Sequence, residues 1–472
     1  MNKSRNPLAD REVCRQATGA AFVGRSTAAR REPWRRLVLC AALVTLALAA
    51  PAAAVTPVDC NTPNDFCTGD PCVTKDELQI TVPSCVLDFG ARALVLAQVV
   101  FVQNGGSLTL SAGSIEIRRR IDGRHIKAAA GDGSDITLHS LGDIMVRKRV
   151  DAAGRNSTGT IVLTAGGDVV LHDQLRARAK GHGATAAGGN VTVQAGGAVM
   201  STHKGKIDVH GRINRTAGGD AAISGQAGVS LKSKIDARGA TAGGVTVTSA
   251  AGSIALEEEI SADGLPGGGG NITVNAAGTV STMKILNASG GMPGAGSIAL
   301  TGGGAMSLTD LRADGRLGAP AGSAGATAGS LAIESVRVRG GGPGGVVNLF
   351  STAGDIVVDR IDARGKAAAG GFVTVSSAGD LVNSTSTKVN GDTQGGEAHF
   401  TAVGDITLGE FKTSRFDATS GVGGVLEAHA TGSLVASGHF DAATGGCIGL
   451  SATGALDTTA VEADGPISAS CP

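Results

Sequence analysis

The chain has 472 residues, including 74 glycines, ten phenylalanines, one tryptophan and no tyrosine, and its 41 basic residues balance its 41 acidic residues. Nucleic-acid binders usually show a basic excess and aromatic stacking platforms, so the composition excludes that class. A compact enzyme of this length would carry more aromatic side chains in its core and pocket. With 13 prolines and many aliphatic residues, the chain is neither collagen nor generally disordered.

The first 54 residues are predicted to be a leader that is removed on export. Arg35 and Arg36 precede an apolar stretch over residues 37–50, and three alanines end at Ala54. This order is typical of a secretory signal peptide cleaved after Ala54, and the apolar stretch is short for a membrane span. Residues 1–30 are expected to be disordered. We expect an extracellular, surface-bound or periplasmic protein, with no transmembrane segment in the mature chain and a net charge of −6 after cleavage.

Six cysteines remain after the leader: Cys60, Cys67, Cys72, Cys85, Cys447 and Cys471. An even number in an exported chain predicts disulfides. The four N-terminal cysteines allow three pairings, and the two C-terminal cysteines are natural partners. No second pair of zinc ligands accompanies the N-terminal spacing. We therefore expect a disulfide-containing N-terminal cap over residues 55–92 and a disulfide cap at the C-terminal end of residues 93–472.

From about residue 90 onward, one pattern recurs: an aliphatic residue, a polar residue, a small residue, a polar residue and glycine. Its mean period from Ile121 to Val461 is about 26 residues. Its predicted starts are Ile121, Val150, Leu175, Ile207, Ile235, Ile260, Leu286, Leu311, Val336, Ile361, Val389, Phe416, Phe440 and Val461.

Each period also contains two short alternating segments, such as Gly252–Leu256 and Gly270–Val274, which predict strands. Three short strands and their turns return the chain to its start one layer higher. The sequence therefore predicts an all-β fold, a single-stranded right-handed parallel β-helix with about 14–15 coils. The apolar run Ala93–Val102 would close the N-terminal cap. We expect a narrow axis filled by aliphatic residues, where aromatic rings would not fit.

Other repeat folds fit this pattern less well. A β-propeller needs a longer period, leucine-rich repeats need recurrent leucine and asparagine, and calcium-binding nonapeptide repeats need a glycine–aspartate signature. The segments Gly243–Val247, Gly370–Val375 and Ala378–Leu381 resemble repeats of bacterial secreted β-helix proteins, notably the passenger regions of haemagglutinin-type adhesins. This resemblance implies an adhesive role at the cell surface.

The second position of the pattern is predicted to form an outward, solvated column. Its members are Asp122, Asp151, Arg176, Asp208, Asp236, Ser261, Asn287, Arg312, Arg337, Asp362, Asn390, Asp417, Asp441 and Glu462. Polysaccharide lyases and hydrolases built on β-helices place aspartate and arginine on one sheet face. A lyase or glycoside hydrolase is therefore the alternative function, with Asp417, Asp441 and His439 as candidate catalytic residues and Arg415 nearby. Carboxylates on adjacent coils would lie about 5 Å apart.

The histidines show no metal-ligand spacing, so we predict no metal and no cofactor. A flat face that binds a regular lattice or another rod is a further idea. It rests on small residues in the outward column of the middle strand: Thr192, Ala222, Thr246, Thr273, Ala299, Ala332 and Thr374.

The favoured interpretation is an exported, non-enzymatic β-helix with a structural or adhesive role at the cell surface or envelope. Its partner is unknown; glycans and envelope or surface proteins are the candidates, and nucleic acid is not.

Overall fold

A computed structural model describes residues 55–57, 60, 66–103, 105–124, 131–180, 186–412, 423–442, 445–464 and 467–471. These residues form an all-β parallel solenoid of about 15 turns, with about 25 residues per turn. The predicted fold class is therefore confirmed. The predicted leader, residues 1–54, lies outside the described residues. Within the described ranges, no helix has the length and apolar character needed to span a membrane.

The strands are numbered here in chain order. The first fifteen are β1 (Val55–Pro57), β2 (Cys72–Val73), β3 (Glu77–Ile80), β4 (Ser84–Asp88), β5 (Ala93–Leu96), β6 (Val100–Val102), β7 (Ser107–Ala112), β8 (Ser114–Ile117), β9 (Ile121–Asp122), β10 (Asp135–Ser140), β11 (Ile144–Val146), β12 (Val150–Asp151), β13 (Ile161–Ala165), β14 (Val169–Leu171) and β15 (Leu175–Arg176). The next twelve are β16 (Val191–Ala195), β17 (Ala198–Ser201), β18 (Ile207–Asp208), β19 (Ala221–Gly225), β20 (Gly228–Leu231), β21 (Ile235–Asp236), β22 (Val245–Ser249), β23 (Ile254–Leu256), β24 (Ile260–Ser261), β25 (Ile272–Ala276), β26 (Val280–Thr282) and β27 (Leu286–Asn287). The last fifteen are β28 (Ser297–Gly302), β29 (Ala305–Arg312), β30 (Ser323–Ala328), β31 (Ser330–Arg337), β32 (Val346–Ser351), β33 (Ile356–Asp362), β34 (Phe372–Ser377), β35 (Leu381–Lys388), β36 (Glu397–Ala402), β37 (Ile406–Lys412), β38 (Val425–Ala430), β39 (Leu434–Asp441), β40 (Cys447–Ala452), β41 (Leu456–Asp464) and β42 (Ile467–Ser468).

One strand of each turn belongs to a 16-stranded sheet that runs from β4 to β42, and the other strands belong to a 26-stranded sheet. In the earlier coils, the second sheet receives two short strands per turn, such as β23 and β24. Strands β26 and β27 both pair with the single strand β29, and each later turn contributes one longer strand. The three predicted short strands per coil thus become two in the C-terminal half.

The core is a continuous apolar column along the axis of the solenoid. In β13, Ile161 and Leu163 are fully buried between partly exposed neighbours, as strand alternation requires. Each turn contributes only a few such side chains. Neighbouring turns must therefore share the burial that offsets the cost of ordering the backbone.

The expectation that aromatic rings would not fit the axis is wrong near the C-terminal end. Phe400, Phe411 and Phe440 are fully or almost fully buried, and the ring of Phe411 lies 6.2 Å from each of the other two. On the next coil, Phe400 stacks against Ala428 in strand register. A small residue beside a large one leaves room for the ring.

The recurrent Gly-Asp turns have a structural role. Oδ1 of Asp355 accepts the backbone N–H of Asp380 at 2.9 Å, and Oδ1 of Asp380 accepts that of Asp405 at 2.8 Å. Asp143 and Asp168 repeat this contact at 2.8 Å. Each carboxylate therefore holds the same turn of the next coil in register.

Part of the predicted cap at 55–92 already has the strand pattern of the solenoid that was predicted to begin at residue 93. Strands β2, β3 and β4 pair in parallel with β5, β6 and β7, so they already form a complete coil. The apolar run Ala93–Val102 is divided into β5 and β6 rather than forming one closing strand. Its residues continue the core of the coil before it.

Disulfides join the cysteines at both ends of the described solenoid. The bridges are Cys60–Cys85, Cys67–Cys72 and Cys447–Cys471. Of the three N-terminal pairings left open by the sequence, the structure contains the one that links Cys60 to β4. The predicted C-terminal bridge is present and ties β40 to the segment after β42.

Two predicted starts of the repeat, Val389 and Val461, are out of register, and a third, Phe416, lies outside the described residues. Thr387 and Ala463 hold the equivalent positions in place of Val389 and Val461, and Phe411 pairs with both Thr387 and Phe440. The pairings of β33, β35, β37, β39 and β41 contain register shifts, where extra residues enter a strand. Each bulge changes the number of residues in a turn. The next aliphatic residue in the sequence therefore no longer pairs with the equivalent residue of the preceding turn.

A glycine column at the last position of the repeat pattern leads to a test of coil packing. A Cβ built on Gly290 would lie 2.2 Å from the backbone nitrogen of Gly269 and 2.4 Å from the carbonyl oxygen of Gly294. We expect Gly290→Ala to lower the free energy of unfolding by about 1–3 kcal/mol, as overpacking does. Urea unfolding followed by circular dichroism measures this.

Gly325→Ala is the matched control, because a Cβ at Gly325 would meet its nearest atom at 3.7 Å. We expect its stability to be unchanged or slightly increased. Equal destabilisation by the two substitutions would contradict the close coil contact at Gly290.

Candidate functional site

The second position of the repeat forms a continuous column, but it is not the solvated surface that the sequence predicted. Asp122, Asp151, Asp208, Asp236 and Asp362 are all nearly completely buried. The third strand of a turn is only two residues long in the earlier coils, and the chain then bends at a corner. Long basic side chains from neighbouring positions cover the carboxylates there. We call this set of side chains and their basic partners the charged column.

The first cluster of the charged column joins two adjacent coils. Nε of Arg124 donates a hydrogen bond of 2.6 Å to Asp122 and lies 3.3 Å from the carboxylate of Asp151. Arg120 lies 3.4 Å from Asp122, and Arg149 lies 3.2 Å from Asp151. Three guanidinium groups thus surround two buried carboxylates.

The pKa values of the two carboxyl groups in this cluster shift in opposite directions. Burial alone would raise the pKa of Asp122, but hydrogen bonds and charge from Arg124 outweigh it, and the pKa falls below its ordinary value. Burial also raises the pKa of Asp151, and the Ala153 N–H and the nearby arginines do not fully offset it. Asp122 is therefore the partner that Arg124 stabilises as an anion.

The second cluster contains the donor set of a candidate cation site. Ligand atoms of Asp208, His210 and Asp236 lie within 4.8 Å of one another. However, Nζ of Lys206 lies 3.2 Å from Asp236 and 3.6 Å from Asp208, and Arg238 binds Asp236 through two nitrogens. These cations already compensate the carboxylates, so we assign no metal here. The sequence did not reveal the cluster, because its members come from two coils.

The third cluster lies beside a cleft of about 730 Å³. Asp362 is buried and accepts hydrogen bonds from Arg339 at 2.6 Å and from Arg364 at 2.9 and 3.0 Å. Burial alone would raise the pKa of Asp362, but the two arginines lower it below its ordinary value. One carboxylate is thus shared by two guanidinium groups, which leaves an excess positive charge at the cleft.

The cleft crosses four successive coils. It is lined by Gly315, Arg316, Leu317, Arg339, Gly340, Gly341, Arg364, Gly365, Lys366 and Asp392. Four of these residues are basic and one is acidic. This concentration of positive charge was not visible in the sequence, whose acidic and basic residues balance.

Of the residues predicted around the catalytic site, Asp417 and Arg415 lie outside the described residues. His439 and Asp441 lie two residues apart in β39. Asp441 pairs in register with Lys412 on the preceding coil and with Asp464 on the next coil. The catalytic pair of Asp417 and Asp441 therefore stays a prediction.

The column of small residues behind the predicted flat face is present, with one correction. The middle column of the 16-stranded sheet runs through Ala299, Gly325 and Asn348, whereas Ala332 lies in the other sheet, opposite Ser307. Further along, the column contains His399 and Glu427, so its small-residue character ends there.

Comparisons of the chain with protein-family models, curated proteins and solved structures found no match. The site must therefore be interpreted from its own contacts. Those contacts show a charged column compensated within the wall and a basic cleft at its C-terminal part.

The opposite pKa shifts of Asp122 and Asp151 lead to a test with two neighbouring substitutions. At pH 7 we expect Asp122→Asn to lower the free energy of unfolding by about 2–3 kcal/mol, because it removes the buried carboxylate that compensates the partly buried guanidinium of Arg124. We expect Asp151→Asn to be neutral or slightly stabilising, because its amide oxygen still accepts the Ala153 N–H. Urea unfolding followed by circular dichroism measures both.

The contributions of Asp122 and Asp151 to the free energy of unfolding change with pH in opposite directions. The folded pKa of Asp122 lies below the ordinary 3.8, so its contribution is complete above that value and is lost as the pH falls through the folded pKa. The folded pKa of Asp151 is raised, so its contribution is present below 3.8 and is lost as the pH rises through the folded pKa. Identical pH profiles for the two variants would contradict this assignment.

Proposed function

We propose that the protein is an exported, non-enzymatic β-helix with a structural or adhesive role at the cell surface or envelope. One observation carries the proposal: the buried carboxylates of the charged column are compensated by cations of the same wall. Asp122, Asp236 and Asp362 each bind an arginine through two nitrogens. A carboxylate held in this way maintains the wall and is poorly placed to act as a general acid or base.

The long, regular shape supports a structural role. Sixteen parallel strands stack in one sheet, and at about 4.8 Å per layer this gives a rod of roughly 70 Å. If such a rod is attached at one end, its other end lies roughly 70 Å from the point of attachment. The three disulfides support export, because disulfides persist in oxidising compartments.

The alternative, a polysaccharide lyase or hydrolase, would need two carboxylates that face a common substrate. The cleft of about 730 Å³ is lined by four basic residues and by Asp392 as its single acid. Asp392 accepts the backbone N–H of Ala367 at 2.8 Å. The lining therefore favours binding over hydrolysis.

Location and turnover test the proposal together. In cells that express the full chain, we expect the protein to be digested by protease added to intact cells, and its mature form to begin at Val55 by mass spectrometry. Incubated with a panel of neutral and acidic polysaccharides, the exported protein is expected to release no more reducing or unsaturated sugar ends than a heat-treated sample.

Two variants decide what any turnover would mean. Asp441→Asn removes a candidate catalytic carboxylate, and Asp359→Asn removes an exposed carboxylate of β33. Turnover that is present in wild type, lost in Asp441→Asn and kept in Asp359→Asn would establish the enzyme instead. A protein that stays in the cytoplasm would contradict the exported role.

A further inference from the structure

We infer that the cleft formed by residues 315–317, 339–341, 364–366 and Asp392 binds an acidic oligosaccharide with one carboxylate per sugar unit. The inference rests on the proposed exported role and names the class of ligand that the surface would hold. Its volume of about 730 Å³ is sufficient for a ligand of a few sugar units.

The positive charges of the cleft occupy two positions of the repeat. Arg339 and Arg364 hold the same position on adjacent coils, about 4.8 Å apart along the axis, whereas Arg316 and Lys366 hold a second position two coils apart. The rise per unit of a linear pyranose polymer is comparable to the rise per coil. The guanidinium fork matches the two oxygens of a carboxylate, so each of these three coils offers at least one cation to an acidic sugar unit.

These arginines are positioned by the wall and still retain donors. Arg339 and Arg364 contact Asp362 through Nε and Nη2. Arg316 reaches Asp263 through Nη1 at 3.3 Å. A guanidinium group carries five N–H donors, so each of these arginines keeps donors beyond those contacts, and all three line the cleft. The side chains are thus held in place before a ligand arrives, which lowers the entropic cost of binding.

Lys366 adds a cation that is not used by the fold. Its side chain is exposed and makes no ion pair with the described residues. Its backbone N–H donates a hydrogen bond of 3.0 Å to the carbonyl oxygen of Gly340. Lys366 is therefore the natural residue with which to test ligand binding.

An exposed apolar residue completes the wall of the cleft. Leu317 is 76% exposed and has a φ of 56°, a backbone conformation that a leucine rarely adopts. Its side chain offers an apolar contact for the face of a sugar ring. None of the lining residues is aromatic, so the cleft lacks the stacking platforms that hold nucleobases.

Binding of a hexamer of galacturonic acid tests the inference. We expect titration calorimetry with the exported full-length protein to detect this hexamer and not an uncharged galactose hexamer of the same length. Lys366→Glu is expected to weaken binding roughly tenfold or more, because it reverses one charge in the cleft. Raising the salt concentration should weaken binding as well.

Lys284→Glu is the matched control, because Lys284 is exposed, lies on an earlier coil and has no ion pair among the described residues. We expect it to bind like wild type. Equal weakening by both variants would overturn the inference, because the effect would then come from net charge. Tighter binding of a sulfated hexasaccharide, or of inorganic phosphate alone, would overturn the assigned ligand class.

Leu317→Asn separates ligand contact from folding. Asparagine tolerates positive φ better than leucine, so the variant is expected to be as stable as wild type or more stable. It should nevertheless bind the hexamer several-fold more weakly. Lower stability with unchanged binding would assign Leu317 a structural role and contradict the apolar contact.

The outcomes separate this inference from the proposed function. A protein at the cell surface that turns over no polysaccharide and fails to bind the hexamer overturns the cleft assignment alone. A protein that binds the hexamer and also cleaves it overturns the non-enzymatic function and leaves the ligand class intact.

Discussion

The structure depends on one constraint: every turn must place its backbone N–H and C=O groups opposite those of the next turn. In the described strands this pairing is parallel and follows a period of about 25 residues. Parallel stacking puts equivalent residues of successive turns directly above one another. A residue is therefore selected both for its own turn and for its fit in a column, and the glycine, aspartate and aliphatic columns follow from this rule.

The columns explain why a buried charge is tolerated here. A single buried carboxylate is costly unless it is paired. In the charged column, the partner comes from two residues along the same turn, as with Asp236 and Arg238, or from the adjacent turn, as with Lys206 and Asp236. Pairing in two directions compensates acids such as Asp236 within the wall and fixes neighbouring turns to each other.

The regular features of the fold could be predicted from the sequence because they repeat. The period, the parallel β-helix and the C-terminal disulfide follow from spacing alone. The burial of Asp122 could not be predicted, since alternation places the second residue of a strand outside and only the corner after a two-residue strand buries it. The bulge near Asn383 displaced the predicted register by two residues, from Val389 to Thr387. The cleft was invisible because its lining comes from four coils, each ordinary by itself.

Two adjacent turns carry an uncharged residue at the second position of the repeat. This has a consequence for how the number of turns changes in evolution. Ser261 and Asn287 follow one another in strand register, and neither has an ionised side chain. A whole turn inserted here would separate Arg316 from Asp263, which lie 3.3 Å apart across the two turns and are both partly exposed. It would leave the contacts of the buried aspartates Asp236 and Asp362 intact, because their basic partners lie on their own side of this point. The two uncharged turns are therefore where evolution or an engineer can change the number of turns at low electrostatic cost.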